Sequence, residues 1–403
     1  MKRFVLNQQQ SELVEQPLSG SVWLSGPAGA GKTTAAVARL LHLLDAGVPA
    51  GQILVLTPQR TLAEPYSVPL RGAHVRPGGE VTVLTLGGLA QRMVQLFWPV
   101  ISGDAGFAAP DREPTFLTLE TAQYFMAGIV GPLLDDGFFD GVIIGRNRLF
   151  SQIIDNLNKA AVVGFSHTEI AGRLTGAWIG ESSQLRVYEQ AQVCADRFRA
   201  FCLEHNLLDF SLQYELFVRH LWPNPLCRDY LRRRFSHLIV DNLEEDTPVA
   251  HDIIRAWLPD LASALLVSDD GEGYRVFLGA DPTGAISLGQ ACDRRLRFES
   301  THVSSPPVTA LSVQLGSALG RSMGSAPQDD LLPALDYEPV RYYPEMLEWV
   351  GATVVRLVRE ESVRPREIAV LAPFLTGSLR FSLANYLQRE GIPVRSHRPS
   401  RAL

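Results

Sequence analysis

The chain has 403 residues, 46% apolar and 20% charged, with a formal charge of −6. That is ordinary globular composition, and it excludes a coiled coil, a collagen-like repeat and a disordered acidic tail. The length suits two to three compact units, and the negative balance means that any nucleic acid must be held in a local groove.

In chain order, short apolar runs at residues 21–25, 53–57, 81–85, 238–241, 265–268 and 368–372 read as strands buried on both faces of a parallel sheet. Helix-forming stretches follow the first and third, at 33–44 and 87–97. This alternation predicts an α/β layered fold. Residues 115–234 carry apolar side chains at helical spacing, as in Leu149, Ile153, Ile154 and Leu157, and contain no convincing strand. They read as a helical insertion. Residues 306–343 are rich in Pro, Ser and Gly and read as a linker. A helix at 345–360, the run at 368–372 and a helix at 378–391 open another α/β unit.

Only three of the 37 basic residues are lysines: Lys2, Lys32 and Lys159. Cys194, Cys202, Cys227 and Cys292 lie far apart with no CxxC pair, so neither a zinc site nor a disulfide framework is expected and a reducing cytosol is the natural setting. The opening apolar run, residues 4–6, is too short for a signal peptide. No stretch approaches the ~20 apolar residues that span a bilayer. A cytoplasmic protein with no membrane partner is expected.

Gly26-Pro27-Ala28-Gly29-Ala30-Gly31-Lys32-Thr33 fits GxxxxGK[ST] directly after a strand and at the start of a helix, the setting that motif requires. Its glycines let backbone N–H groups turn towards phosphate oxygens, and the helix start adds its dipole. Lys32 is placed to neutralise the terminal phosphates of ATP and the Thr33 hydroxyl to ligate Mg²⁺. Thr34 completes the nucleotide-binding stretch.

A phosphate loop alone does not choose among ATPases; its surroundings do. Residues 6–10, Leu-Asn-Gln-Gln-Gln, resemble the LNxxQ adenine-reading motif of the UvrD/Rep-type superfamily 1 DNA helicases, with Gln10 as the reading amide. Residues 53–57 and 83–90 resemble the second and third motifs of that family, and Leu207-Leu208-Asp209-Phe210 a stretch that precedes its second nucleotide motif. Phe235–Asp241, in the order Phe-Ser-His-Leu-Ile-Val-Asp, resembles the strand that carries its metal-binding aspartate. Residues 266–280 resemble GDxxQSxYxFRGA. The resemblance implies a P-loop, RecA-like sheet over residues 1–112 and 235–305, a helical insertion over 113–234, a linker over 306–343 and the beginning of a second RecA-like domain over 344–403.

It also implies ATP and Mg²⁺ as cofactors and single-stranded DNA as partner. Asp241 would hold Mg²⁺ with Thr33, and Thr57, Thr85 and Phe277 would touch DNA. From the residues alone, Thr57 and Thr85 serve equally as helix caps, and Phe277 as a core side chain. The sequence departs from the family in four places. Asn242 stands where the family has the glutamate that activates water, leaving Glu244 as the nearest substitute. Glu272 replaces the coupling glutamine. Leu278 and Pro373 stand where arginines would meet the γ-phosphate. Degenerate motifs around an intact phosphate loop also characterise AddB-like subunits of helicase-nucleases, so a partner subunit of that kind, and slow or absent hydrolysis by this chain alone, are expected.

Overall fold

The computed structural model describes residues 5–71, 78–271, 273–320 and 331–396. Contacts divide the chain into two compact units, residues 1–304 and 305–403.

The first unit is built on six parallel strands: β1 (Gly20–Ser25), β2 (Ile53–Leu56), β3 (Thr82–Leu84), β6 (His237–Val240), β7 (Ser263–Val267) and β8 (Arg294–Arg297). Their spatial order is β3-β2-β6-β7-β1-β8. Both faces of the four inner strands are buried, and the alternation along each of them shows why. Trp23, Leu54, Leu56, Leu238, Val240 and Leu266 face one core. Val22, Leu24, Ile53, Val55, Ile239, Leu265 and Val267 face the other. A strand with apolar residues on both faces is what a parallel sheet covered by helices demands.

Helix α1 (Gln8–Val14) precedes β1, and α2 (Lys32–Asp45) follows it. Helix α3 (Glu64–Arg71) follows β2, and α4 (Leu86–Leu96) follows β3. The α2 side chains Ala35, Ala36, Val37, Leu40 and Leu43 are buried in the second core. The helices between β3 and β6, chiefly Leu119–Asp135, Arg146–Val163 and Ser183–Glu204, share the first core with the sheet: Phe198, Phe217 and Ile153 belong to the cluster that holds Leu238 and Leu266. The insertion is therefore packed onto the sheet and has no separate core.

Four expectations are corrected. The insertion does contain strands, β4 (Thr115–Phe116) and β5 (Leu207–Leu208), which pair in parallel. Each is two residues long, too short to leave a period-2 signature. Strand β8 was not expected, because Arg294, Arg295 and Arg297 make it polar; an edge strand with charged side chains resists pairing with other chains. The 306–343 stretch holds a helix, Pro306–Ala318, with its prolines at the first turn where no N–H is missed. Residues 368–372 form no strand. A strand exists only where a neighbour supplies its ladder, and among the described residues of the second unit no segment does.

That second unit also contains Tyr343–Arg359 and Gly377–Arg389, packed through Val354, Leu387 and Ile392. All four cysteines are free and buried. No helix among the described residues is long and apolar enough to cross a membrane.

Candidate functional site

Because all six strands are parallel, their C-terminal ends lie along one edge, where ligands of open α/β sheets collect. The phosphate loop leaves β1 there. Gly29 and Gly31 have φ of +76° and +77°, conformations that a side chain resists. A Cβ on Gly29 would also stand 2.2 Å from Val303 Cγ2. Phe298 N–H donates to Ser25 O at 2.9 Å and Asp270 N–H to Gly26 O at 3.1 Å, so the loop is anchored at its start by the segments leaving β8 and β7.

Lys32 is 6% exposed. Its ammonium donates to Gly26 O (2.8 Å) and Pro27 O (2.7 Å) and pairs with Asp269 at 2.5 Å. Oxygens thus surround the charge on three sides. Ala30 is fully buried and its N–H donates to Pro27 O at 3.2 Å; Ala28 lies on the turn between, and Thr34 is half-buried on the first turn of α2.

Gln10 sits against the other end of the loop. Asn7 caps α1, and Asn7 and Gln10 bond each other's backbone N–H groups in a capping box. The Gln10 amide then donates to Gly31 O at 3.2 Å. The Asn7 amide meets His302 Nε2 at 3.0 Å, and His302 N–H donates to Gly29 O at 2.9 Å. The expected adenine-reading residue therefore stands beside the phosphate loop, with His302 as a neighbour that the sequence did not flag.

Asp241, at the end of β6, is 2% exposed. Its Oδ2 accepts from Thr33 Oγ1 and from Tyr66 OH, each at 2.8 Å, and its Oδ1 from Asn242 N–H at 3.0 Å. Burial pushes this carboxyl up, while those three donors favour its charge. Burial likewise raises Tyr66 well above the ordinary phenol range, with the Asp241 charge adding to it. A hydroxyl and a carboxylate already in contact are the hard oxygen donors that Mg²⁺ accepts. Among the described residues no cluster of three His, Cys, Asp or Glu side chains is arranged to hold a metal, so Thr33 and Asp241 would share the ion with nucleotide and water. When bound, Mg²⁺ supplies charge neutralisation at the terminal phosphates.

Past Asp241 the chain makes a tight turn. Asn242 is left-handed (φ +59°, ψ +47°), a conformation asparagine tolerates, and it opens a short 3₁₀ turn over Leu243–Glu245. The turn carries Glu244 into the interior, 4% exposed. Its Oε2 accepts from Asp269 N–H at 2.9 Å, and Asn242 Nδ2 lies 3.4 Å from its Oε1. Burial raises its pKa, and the Asp269 charge adds to that. Glu245 instead binds backbone, accepting from Tyr274 N–H (2.7 Å) and Arg275 N–H (3.0 Å). Asp246 is pushed up to about 7, first by burial and then by Glu244 and Glu245, against the attraction of Arg275. Thr247 and Pro248 are the N-cap and first residue of helix Pro248–Trp257, as their types predict, although the Thr247 hydroxyl makes no capping bond. Glu272 lies outside the described residues.

A cleft of about 510 Å³ opens on the same edge of the sheet, between the strand ends and the helix Arg146–Val163. Thr85, Phe277 and Leu278 line it, as do Lys159, Asn156 and Phe210. Phe277 is 72% exposed, which removes the core reading and leaves a free aromatic face. Thr85 combines both of its expected roles: its hydroxyl accepts from Gly88 N–H at 3.0 Å as the cap of α4, and it borders the cleft. Thr57 does not reach the cleft surface. It is 1% exposed and its hydroxyl donates to Gln59 O at 2.9 Å. Lys159 was conspicuous only as a rare lysine; its place opposite Phe277 follows from the fold.

A phosphate loop with its Thr–Asp pair, at the edge of a parallel sheet in this strand order, defines a P-loop NTPase of RecA-like build. The chain belongs to the UvrD/REP helicase N-terminal domain family, which it matches over residues 6–290. It is similar to the ATP-dependent DNA helicase UvrD2 of Mycobacterium tuberculosis (strain ATCC 25618 / H37Rv) and of Mycobacterium bovis (strain ATCC BAA-935 / AF2122/97), at 24% identity over 381 residues. That alignment takes in 91% of this chain and 51% of each relative, so the chain spans about half their length.

Proposed function

We propose that this chain is the ATP- and single-stranded-DNA-binding front region of a UvrD-like DNA helicase, acting in the cytoplasm in DNA repair or recombination. The observation that carries the reading is the shared edge: Lys32, Thr33 and Asp241 meet at the phosphate loop, and Phe277, Thr85 and Lys159 line a cleft on the same side of one sheet. Nucleotide state and strand binding are then linked through the turns after β6 and β7, which touch both places.

In this reading Lys32 leaves Asp269 to meet the terminal phosphates, and Thr33 and Asp241 hold Mg²⁺. Gln10 reads the adenine edge. DNA bases stack on Phe277 while Lys159 meets the backbone. Glu244, whose carboxyl is buried beside Asp269, takes the proton from the attacking water in place of the side chain that Asn242 cannot supply. Such a displaced base, with Leu278 and Pro373 where arginines are expected, makes turnover by this chain alone slow.

A second reading, a non-hydrolysing scaffold in an AddB-like helicase-nuclease complex with a partner subunit, is favoured by the Asn242 amide itself, which faces Glu244. One pair of measurements on the 403-residue chain separates them: anisotropy of a labelled oligo-dT at low salt, and ATP turnover with and without that DNA. Slow turnover that DNA stimulates, and that Glu244→Gln reduces at least about tenfold, supports the motor. Turnover absent in the wild type supports the scaffold. No binding of oligo-dT would overturn the DNA-binding reading altogether, and fast turnover would overturn the assignment of a crippled site.

A further inference from the structure

Two cations flank the phosphate loop, and consecutive aspartates hold both. Asp269 pairs with Lys32 at 2.5 Å; Asp270 Oδ2 pairs with Arg297 Nη2 at 2.8 Å. Asp270 N–H donates to Gly26 O, so the backbone that carries both aspartates lies against the first residue of the loop. Arg297 reaches that place from β8: it is the register partner of Ser25, the residue immediately before the loop. Its guanidinium lies between Asp270 and, at 3.6 Å from its Nε, Glu299 Oε2.

The loop has two distinguishable ends. Gln10 and His302 bond Gly31 O and Gly29 O, which marks the adenine side. Asp270 bonds Gly26 O at the opposite end, where the Lys32 ammonium also donates, and its carboxylate holds Arg297. The Arg297 side chain is 54% exposed, and an exposed ion pair is weak because water screens it. A nucleotide's terminal phosphate, with several acceptor oxygens and more than one negative charge, is the stronger partner for a guanidinium fork.

Resting on the nucleotide-binding reading above, we infer that Arg297 is a second phosphate-binding cation of this site, engaged by the terminal phosphate, and that Asp269 and Asp270 hold Lys32 and Arg297 until nucleotide displaces them. Arg297 thereby supplies positive charge that Leu278 and Pro373 do not. Nothing in the sequence pointed to it, since it lies in a strand too polar to be recognised.

The test is competition titration of the full chain with mant-ADP, using ATPγS and ADP as competitors in the presence of Mg²⁺. Arg297→Ala should weaken ATPγS by about tenfold, or about 1.4 kcal/mol, and ADP by less than about twofold. Arg297→Lys should recover part of the loss, and Asp270→Asn, which leaves the guanidinium only Glu299 as a carboxylate partner, should tighten ATPγS by about two- to threefold. An equal loss of both nucleotides, or no loss of either, overturns the inference while leaving nucleotide binding intact. A wild-type chain that binds neither nucleotide overturns the nucleotide-binding reading, and this one with it.

Discussion

The phosphate loop and the cleft share one edge of the sheet but are built in different ways. At the loop, eight consecutive residues make most of the site, and its polar groups are bonded to one another: Lys32 to two carbonyls and Asp269, Thr33 to Asp241, Gln10 to Gly31. At the cleft, Thr85 comes from the start of α4, Lys159 from the insertion and Phe277 from the turn after β7, and Phe277 stands in water. The loop is assembled mainly from one stretch of chain, with its polar groups bonded internally. The cleft is assembled across nearly 200 residues of sequence and left open. Phosphate recognition needs a fixed array of donors, whereas base stacking needs only an aromatic face and room beside it.

The largest expected effect is at the loop. Lys32→Ala should lower nucleotide affinity at least about a hundredfold, read by mant-ADP titration, while oligo-dT affinity measured without nucleotide stays within about threefold. A parallel collapse of DNA binding would show that the two regions are one site. Next is the cleft. Phe277→Ala should weaken oligo-dT binding by about 1–3 kcal/mol without changing nucleotide affinity, and because Phe277 is exposed the melting temperature should hold. If DNA binding is unchanged, the aromatic face is not a platform.

The smallest effect sharpens the border between them. Asp246 has a folded-state pKa of about 7 against an ordinary 3.8. Between those two values the folded chain keeps a proton that the unfolded chain has released. The stability linked to that proton is fully present below the unfolded value and is lost as pH rises through the folded one. Asp246→Asn should thus melt roughly 2–4 °C above wild type at pH 8, with the gap narrowing by pH 5. A pH-independent gap would mean that Asp246 titrates as a solvated carboxylate.

Much of the loop was legible before the fold was known. The motif named Lys32 and Thr33, the apolar run before it named β1, and the resemblance of residues 235–241 to a family strand named Asp241, which meets Thr33. What could not be read was what holds them. Tyr66 lies 175 positions from Asp241 and Asp269 lies 237 from Lys32 in the chain, and neither type is distinctive there. At the cleft, Phe277 and Thr85 came from resemblance, and Thr57 came with them, although its hydroxyl is turned inward to Gln59 O. The pattern locates a threonine at a strand end; the turn that follows decides where its hydroxyl points.

The sequence by itself pointed to the parallel sheet and the phosphate loop, because five of its six unbroken apolar runs are strands of the sheet, and a glycine-rich turn between a strand and a helix suits close backbone approach to an anion. Tertiary structure alone decided the rest. It turned the segment after Asn242 so that Glu244 enters the interior, placed polar β8 at the sheet edge, and brought Arg297 and Asp270 to the first glycine of the loop. Those outcomes depend on long-range register and on the left-handed turn at one asparagine, and neither leaves a periodic trace in the chain.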